Sequence, residues 1–299
     1  MAWGAFANRH AESTVAAAVK LLACIAFHYQ EQRLTYLQQV LHLQQYLAPQ
    51  VHVVVTTTTD DPEALARIAT IAPPASARYH CEIEYFSLPN PWLLPWAHKV
   101  VIAQKFGDLS FTHFMYVEDD IEVAPANVDY WLRAREALRP FGLYPSFFRV
   151  EWQEQRQTWT STDVADPVSL ARAPVLHSIY GDYQYLNMPN PYQAMFFYDR
   201  ELMLEHMASE SFDVIKYGQI ENIDRFPGWG GGGVAERASH GLTFVNVPSG
   251  FTSRNVIPFL GKFRLIDPRC FVHHLPNNYA NQRPELKLGK VAVQELLVP

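Results

Sequence analysis

Three short apolar runs, each followed by a longer segment of helical spacing, and a fourth run that ends the series, constrain what the first 125 residues can fold into. LLACIAFHY (21–29) leads into QEQRLTYLQQVLHLQQYL, VHVVVTTTTDDP (51–62) into EALARIATIA, and HCEIEYFSL (80–88) into PWAHKVVIAQKFG, before FTHFMYV (111–117). Strands joined through helices pair in parallel, because a parallel connection must cross back along the sheet. The pattern predicts an α/β fold with a mostly parallel, doubly wound sheet whose ligands bind where the strands' carboxyl ends emerge. With 299 residues, 48% of them hydrophobic, the chain can bury the core that such a sheet needs. From about residue 126 the rhythm changes. Prolines and aromatics become frequent, and the strand-like runs FFRVEW, QAMFFY, LTFVNV and RCFVHHL stand between irregular segments, which predicts a mixed α/β second half.

Composition narrows the function classes. Lys and Arg number 24 against 30 Asp and Glu, with no basic block, so nucleic acid is not an expected partner. Cys24, Cys81 and Cys270 lie far apart in apolar surroundings and read as reduced core residues, not as thiolate ligands. The run VAAAVKLLACIAF is interrupted by Lys20 and is shorter than the roughly 20 residues of a spanning helix, so no membrane span is expected. The expected location is cytoplasmic, either free or docked peripherally on a membrane.

FTHFMYV runs directly into Glu118, Asp119 and Asp120. A solvated turn does not require so apolar a strand before it, whereas a metal site gains from acids fixed to a buried element. In an extended chain Glu118 and Asp120 project the same way and Asp119 the opposite way. Two such carboxylates can hold a hard divalent cation, Mn2+ or Mg2+, and leave positions open for phosphate oxygens.

VEDDIEVAP (117–125) closely resembles the Glu-Asp-Asp form of the Asp-X-Asp motif of GT-A fold glycosyltransferases, in particular the inverting N-acetylglucosaminyltransferase I group. The likeness covers about ten residues, and the order of elements before it agrees. It implies a GT-A-like fold, with residues 1–20 as an N-terminal extension, 21–125 as the nucleotide-sugar-binding half, and 126–299 as the acceptor-binding and catalytic half of one domain. It also implies Asp120 as the metal ligand, with Glu118 and Asp119 towards the ribose, the sugar or metal-bound water. The implied donor is a nucleoside diphosphate sugar, UDP-linked by preference. The implied acceptor is a hydroxyl of a glycan or lipid-linked saccharide, as in polysaccharide biosynthesis.

Other candidates follow from position. His28, Tyr29 and Thr56 to Thr59 end the first two strands and are expected to line the nucleotide edge. Lys99 precedes the acidic strand and matches a basic residue that GT-A enzymes often turn towards the donor. Arg254 is a candidate to neutralise phosphate. Transfer with inversion needs a carboxylate to take the acceptor proton. The stretch PGWGGGGVAE resembles the Trp-Gly-Gly segment before the catalytic acid of several galactosyl- and N-acetylgalactosaminyltransferases, but there the acid follows the glycines at once, whereas here Gly233, Val234 and Ala235 stand before Glu236. Glu236 is the first candidate for the base, with Asp224 and Glu221 as competitors and a helix-start role as the alternative for each. Adjacent histidines in a strand face opposite ways, and His274 is favoured over His273 as a second metal ligand. Trp152, Trp159, Trp229 and Tyr279 fall where the sequence looks irregular, and Trp229 is the candidate acceptor platform. Two other classes remain open: a metal-dependent phosphoryl or nucleotidyl transferase or hydrolase using the same acids, and a non-enzymatic carbohydrate-binding protein with a structural Ca2+.

Overall fold

The structure is a computed structural model, and it describes residues 19–177, 183–218 and 233–299. The first apolar run forms β1 (Lys20–Ala26), the second β2 (Gln50–Thr57), the third β3 (Tyr79–Tyr85) and the fourth β4 (His113–Glu118). Leu21 to Ile25 are fully buried because β1 lies inside the sheet with both faces covered, which is why the run does not alternate. Between the strands come α1 (Leu34–Gln44), α2 (Pro62–Ile71) and α3 (Ala97–Lys105). α1 buries Leu37, Val40, Leu41 and Gln44, a single face at helical spacing. α2 starts where Asp61 accepts a hydrogen bond from the Glu63 amide, with Pro62 in the first turn.

The sheet runs in the order Met195–Asp199, β4, β1, β2, β3. β1 to β4 are mutually parallel, and the Met195–Asp199 edge strand is antiparallel to β4. The fold is therefore α/β, with a sheet that is mixed and not purely parallel. The antiparallel edge comes from QAMFFY in the second half of the chain, so both halves build one sheet.

A smaller sheet stands beyond the carboxyl end of β4. The chain turns at Asp119 and Asp120 into β5 (Ile121–Glu122), which pairs antiparallel with Phe271–His274. That strand pairs in parallel with Phe148–Gln153, itself antiparallel to Thr158–Ser161. The helix α4 (Pro125–Leu138) follows, and its Asn127 side chain accepts from the Ala124 amide and donates to the Arg269 and Phe271 carbonyls. Asn127 thereby ties the chain leaving the acids to the strand carrying the histidines. A further mixed sheet holds Tyr183–Asn187, Asn255–Leu260 and their neighbours.

Two expectations are corrected. LTFVNV (242–247) is a series of turns, with the Thr243 amide on the His240 carbonyl and the Val245 amide on that of Leu242. Positive φ at Gly241 and Asn246 breaks the extended chain at both ends of the run. Trp152 and Trp159 lie in paired strands directly opposite each other, so cross-strand packing accounts for them. Among the described residues, no helix is long and apolar enough to cross a membrane.

Candidate metal and nucleotide site

Glu118 is the last residue of β4, and the chain turns immediately after it, so strand alternation does not extend to Asp120. Asp119 and Asp120 instead share one cation, contrary to the opposed orientation expected of an extended chain. Arg33 Nε and Nη2 donate to the two Asp119 oxygens at 2.9 and 2.7 Å, and Nη2 also reaches Asp120 Oδ2 at 2.9 Å. Arg33 arrives just before α1, in the connection leaving β1, and β1 neighbours β4. Parallel pairing brings the two strand exits together.

The small sheet places His274 opposite Ile121, and the Leu275 amide donates to the Asp120 carbonyl at 2.9 Å. His274 Nε2 stands 3.5 Å from Asp120 Oδ2. Its Nδ1 is 2.5 Å from Oε1 of Glu151, a fully buried residue whose Oε2 accepts the Ala280 amide at 2.5 Å. Glu151 holds Nδ1 and so fixes the ring with Nε2 towards Asp120, the orientation a carboxylate gives to metal-binding histidines; a metal would replace the Nε2 proton. His273 turns the other way, onto Asn277 at 2.9 Å and the edge of Trp159. Tyr279 packs against the His274 ring.

Behind this pair, Tyr192 donates to Glu118 at 3.2 Å, and Arg149 lies over the Tyr192 ring while gripping Asp163 at 2.9 and 2.6 Å. Among the described residues, Glu118, Asp119, Asp120, Glu151 and Asp163 thus face two guanidinium groups, those of Arg33 and Arg149. Burial and then the charge of Asp120 push the Glu118 carboxyl up to about 8. Burial also raises Asp119, with Asp120 adding to it against Arg33. Burial acts to raise Asp120 too, but the hydrogen bond and charge of His274 and the charges of Arg33 and Arg149 outweigh it and hold that carboxyl at about 2. Burial would lower His274, and Asp120 and Glu151 reverse that and raise it. Asp120 is the group kept ionised, and its buried Oδ1 has no hydrogen-bond partner among the described residues.

This donor set fits a divalent cation. One oxygen of Asp120, Oδ1, is buried without a hydrogen-bond partner among the described residues, and the imidazole of His274 lies beside the same carboxylate in surroundings rich in negative charge.

The raised Glu118 carboxyl has a measurable consequence. Its folded value lies above the unfolded one, so its stabilising contribution is complete below about 4.5 and is lost as pH rises through about 8. Buried Lys99, shifted down, contributes the opposite slope, and the difference from Glu118→Gln isolates the Glu118 contribution. In chelator, wild type is expected to lose stability relative to Glu118→Gln between pH 7 and 8.5, read from urea midpoints. Mn2+ is expected to reverse that loss.

Other sequence candidates fall elsewhere. His28 Nδ1 contacts the Thr58 hydroxyl at 3.1 Å, and Tyr29 donates to Glu31 at 2.9 Å, both at strand exits on the acids' edge. Thr56 is corrected: it is fully buried, and its hydroxyl donates to the Ile25 carbonyl inside the sheet. Lys99 is corrected as well. It is buried, donates to the Ser211 carbonyl, and lies 3.9 Å over the Trp96 ring, because its helix face packs against the Glu210–Phe212 turn. Arg254 is corrected too: it is spent on the Gly142 carbonyl at 2.8 Å and Glu205 at 2.7 Å, and ties the Gly142 turn to the helix Arg200–Ala208.

Glu236 lies in the short helix Val234–Ala238 and folds back over Gly233 at the helix start, where a Cβ would meet its carboxylate. It also acts on the buried Tyr116 hydroxyl, as do all three acids: burial raises that group most, followed by the charges of Glu118, Asp119, Asp120 and Glu236. Asp224, Glu221 and Trp229 lie outside the described residues.

Arg33, Glu151, Arg149 and Tyr192 were not foreseen. The signal for two of them was present: FFRVEW sets Arg149 and Glu151 on one face of an apolar strand, an expensive placement without partners. The chain matches no protein-family model, and no curated protein is significantly similar to it.

Proposed function

We propose that this chain is a metal-dependent glycosyltransferase of GT-A type that moves a sugar from a nucleoside diphosphate sugar to a hydroxyl of a glycan or lipid-linked saccharide, with inversion. The observation that carries this is the buried Oδ1 of Asp120, which has no hydrogen-bond partner among the described residues, on a carboxylate whose other oxygen lies 3.5 Å from His274 Nε2, where parallel strands end. Asp120 and His274 would hold Mn2+ or Mg2+, which would supply positive charge to the leaving diphosphate. Arg33, which lies between Asp119 and Asp120, adds a permanent cation on the same edge. His28 and Tyr29 flank that edge and are suited to a base and ribose. Glu236, in the short helix that follows the glycine run, is the candidate base, on the likeness of PGWGGGGVAE to the segment before the catalytic acid of several galactosyl- and N-acetylgalactosaminyltransferases. The likeness of VEDDIEVAP to the Glu-Asp-Asp motif supports the choice of reaction over other metal chemistry.

The test is a thermal-shift panel of nucleotides with and without Mn2+. A nucleoside diphosphate at about 100 times its dissociation constant is expected to stabilise the protein by about 2.7 kcal/mol, and only when Mn2+ is present. No response to any nucleotide, or one indifferent to Mn2+, would sink the proposal.

A further inference from the structure

At the opposite end of the parallel sheet, a second set of donors converges from two neighbouring strands. His52 on β2 stands directly across from His80 on β3 in the parallel register. Glu82, two residues on from His80, projects from the same face of β3. One ligand atom from each of the three lies within 4.8 Å of the others, and the two imidazole rings are 4.8 Å apart. β2 and β3 hold these side chains on paired backbone, and β3 is the edge of the sheet, so solvent reaches the cluster.

The place is separate from the acid triplet. His52 is level with Leu22 of β1, and Leu22 with Phe114 of β4, four residues before Glu118. Four residues of strand amount to about 13 Å along the sheet, with two further strand spacings across it.

We propose that His52, His80 and Glu82 form a binding site for a divalent transition-metal ion, with Zn2+ the best match. Two imidazoles and one carboxylate are the donor types that Zn2+ prefers, and a three-ligand set leaves a fourth position open. Four ligands at about 2.0–2.1 Å from a tetrahedral ion are roughly 3.3 Å apart, so rotamer adjustments bring the donors into range without moving either strand. Glu82 Oε1 already contacts His52 Nε2 at 2.8 Å, and the edge of Phe111 supports the His52 ring. Burial, the largest influence on His52, lowers its proton affinity and favours the neutral, ligating form. The Lys105 ammonium also lies on Glu82 Oε1, at 2.5 Å, and the metal would take over that carboxylate. A simple ion pair between Glu82 and Lys105 uses neither histidine. Beside the cluster is a recess of about 220 Å3 lined by His52, His80, Arg78 and Lys20 among others, which gives the open position access to a small ligand. A bound ion would clamp β2 to the sheet edge.

The test uses the full-length protein, freed of metal by chelator and dialysis. Zn2+ is titrated in competition with a chromophoric chelator, and Co2+ binding is followed by its visible absorption. The expected result is a Zn2+ equivalent that survives in Asp120→Asn but is weakened at least about tenfold in His80→Ala, with the Co2+ bands lost. His80 is exposed, so its replacement spares the core, and far-ultraviolet circular dichroism confirms the fold. Zn2+ affinity and Co2+ spectra identical in wild type and His80→Ala overturn the proposal. So does loss of the tight equivalent in Asp120→Asn alone, which would assign the ion to the acid site and leave the proposed function standing.

Discussion

Asp120→Asn is expected to cost about 10²- to 10³-fold in the proposed sugar transfer while leaving the protein folded. Charge stabilisation by a bound cation contributes several kcal/mol in the transition state, and each 1.36 kcal/mol is a factor of ten. The substitution keeps the side chain's size and an oxygen for Arg33 but removes the carboxylate of the triplet that its surroundings hold ionised. Two effects on stability oppose each other. The attraction of Asp120 to Arg33 and His274 is lost, and its repulsion of Glu118 is relieved. Because Asp120 is the largest influence on Glu118 after burial, the Glu118 carboxyl should move back towards the ordinary range, and the stability difference between pH 7 and 8.5 should shrink. The measurements are the transfer rate, the Mn2+-dependent nucleotide thermal shift and the pH dependence of the urea midpoint. A variant that keeps the Mn2+-dependent shift would remove Asp120 from the metal site.

Glu151 carries the second large effect, through His274. It is fully buried and accepts two hydrogen bonds, from His274 Nδ1 and the Ala280 amide. Glu151→Ala leaves both donors unpaired, at about 1–3 kcal/mol each, and is expected to destabilise the chain by about 3–5 kcal/mol. Glu151→Gln keeps the shape and one acceptor, and its effect should fall on metal binding. With the carboxylate gone, the imidazole is free to place its proton on Nε2, and Mn2+ affinity is expected to drop about 10- to 100-fold. A titration of Mn2+ against the nucleotide-dependent shift reads this directly. Wild-type Mn2+ affinity in Glu151→Gln would make Glu151 a fold residue only.

Sequence and structure agree where local chemistry decides. The apolar runs of β1, β2 and β4, the helical faces between them and the stop at Asp61–Pro62 are each set by neighbouring residues, and all were legible. The acid triplet was legible for the same reason, as three charges directly after a buried strand. The failures share a cause. Thr56, Lys99 and Arg254 were placed by their position in an element, yet each is consumed by a distant backbone carbonyl, at Ile25, Ser211 and Gly142. Position along a strand or helix says which end a residue occupies; it does not say what packs over it.

By itself, the sequence determined the α/β class, the strand exit on which the acids sit, and a pair of histidines that a strand must separate. Only the tertiary structure decided which groups complete the site. Arg33 and Glu151 reach the acids and His274 across 86 and 123 residues of chain. Such contacts arise when sheets pair, and sheet pairing is driven by burial of whole strands, with no local signal for the charged groups carried along. The same packing leaves one buried oxygen of Asp120 without a hydrogen-bond partner among the described residues, and that is the feature on which the proposed metal site rests.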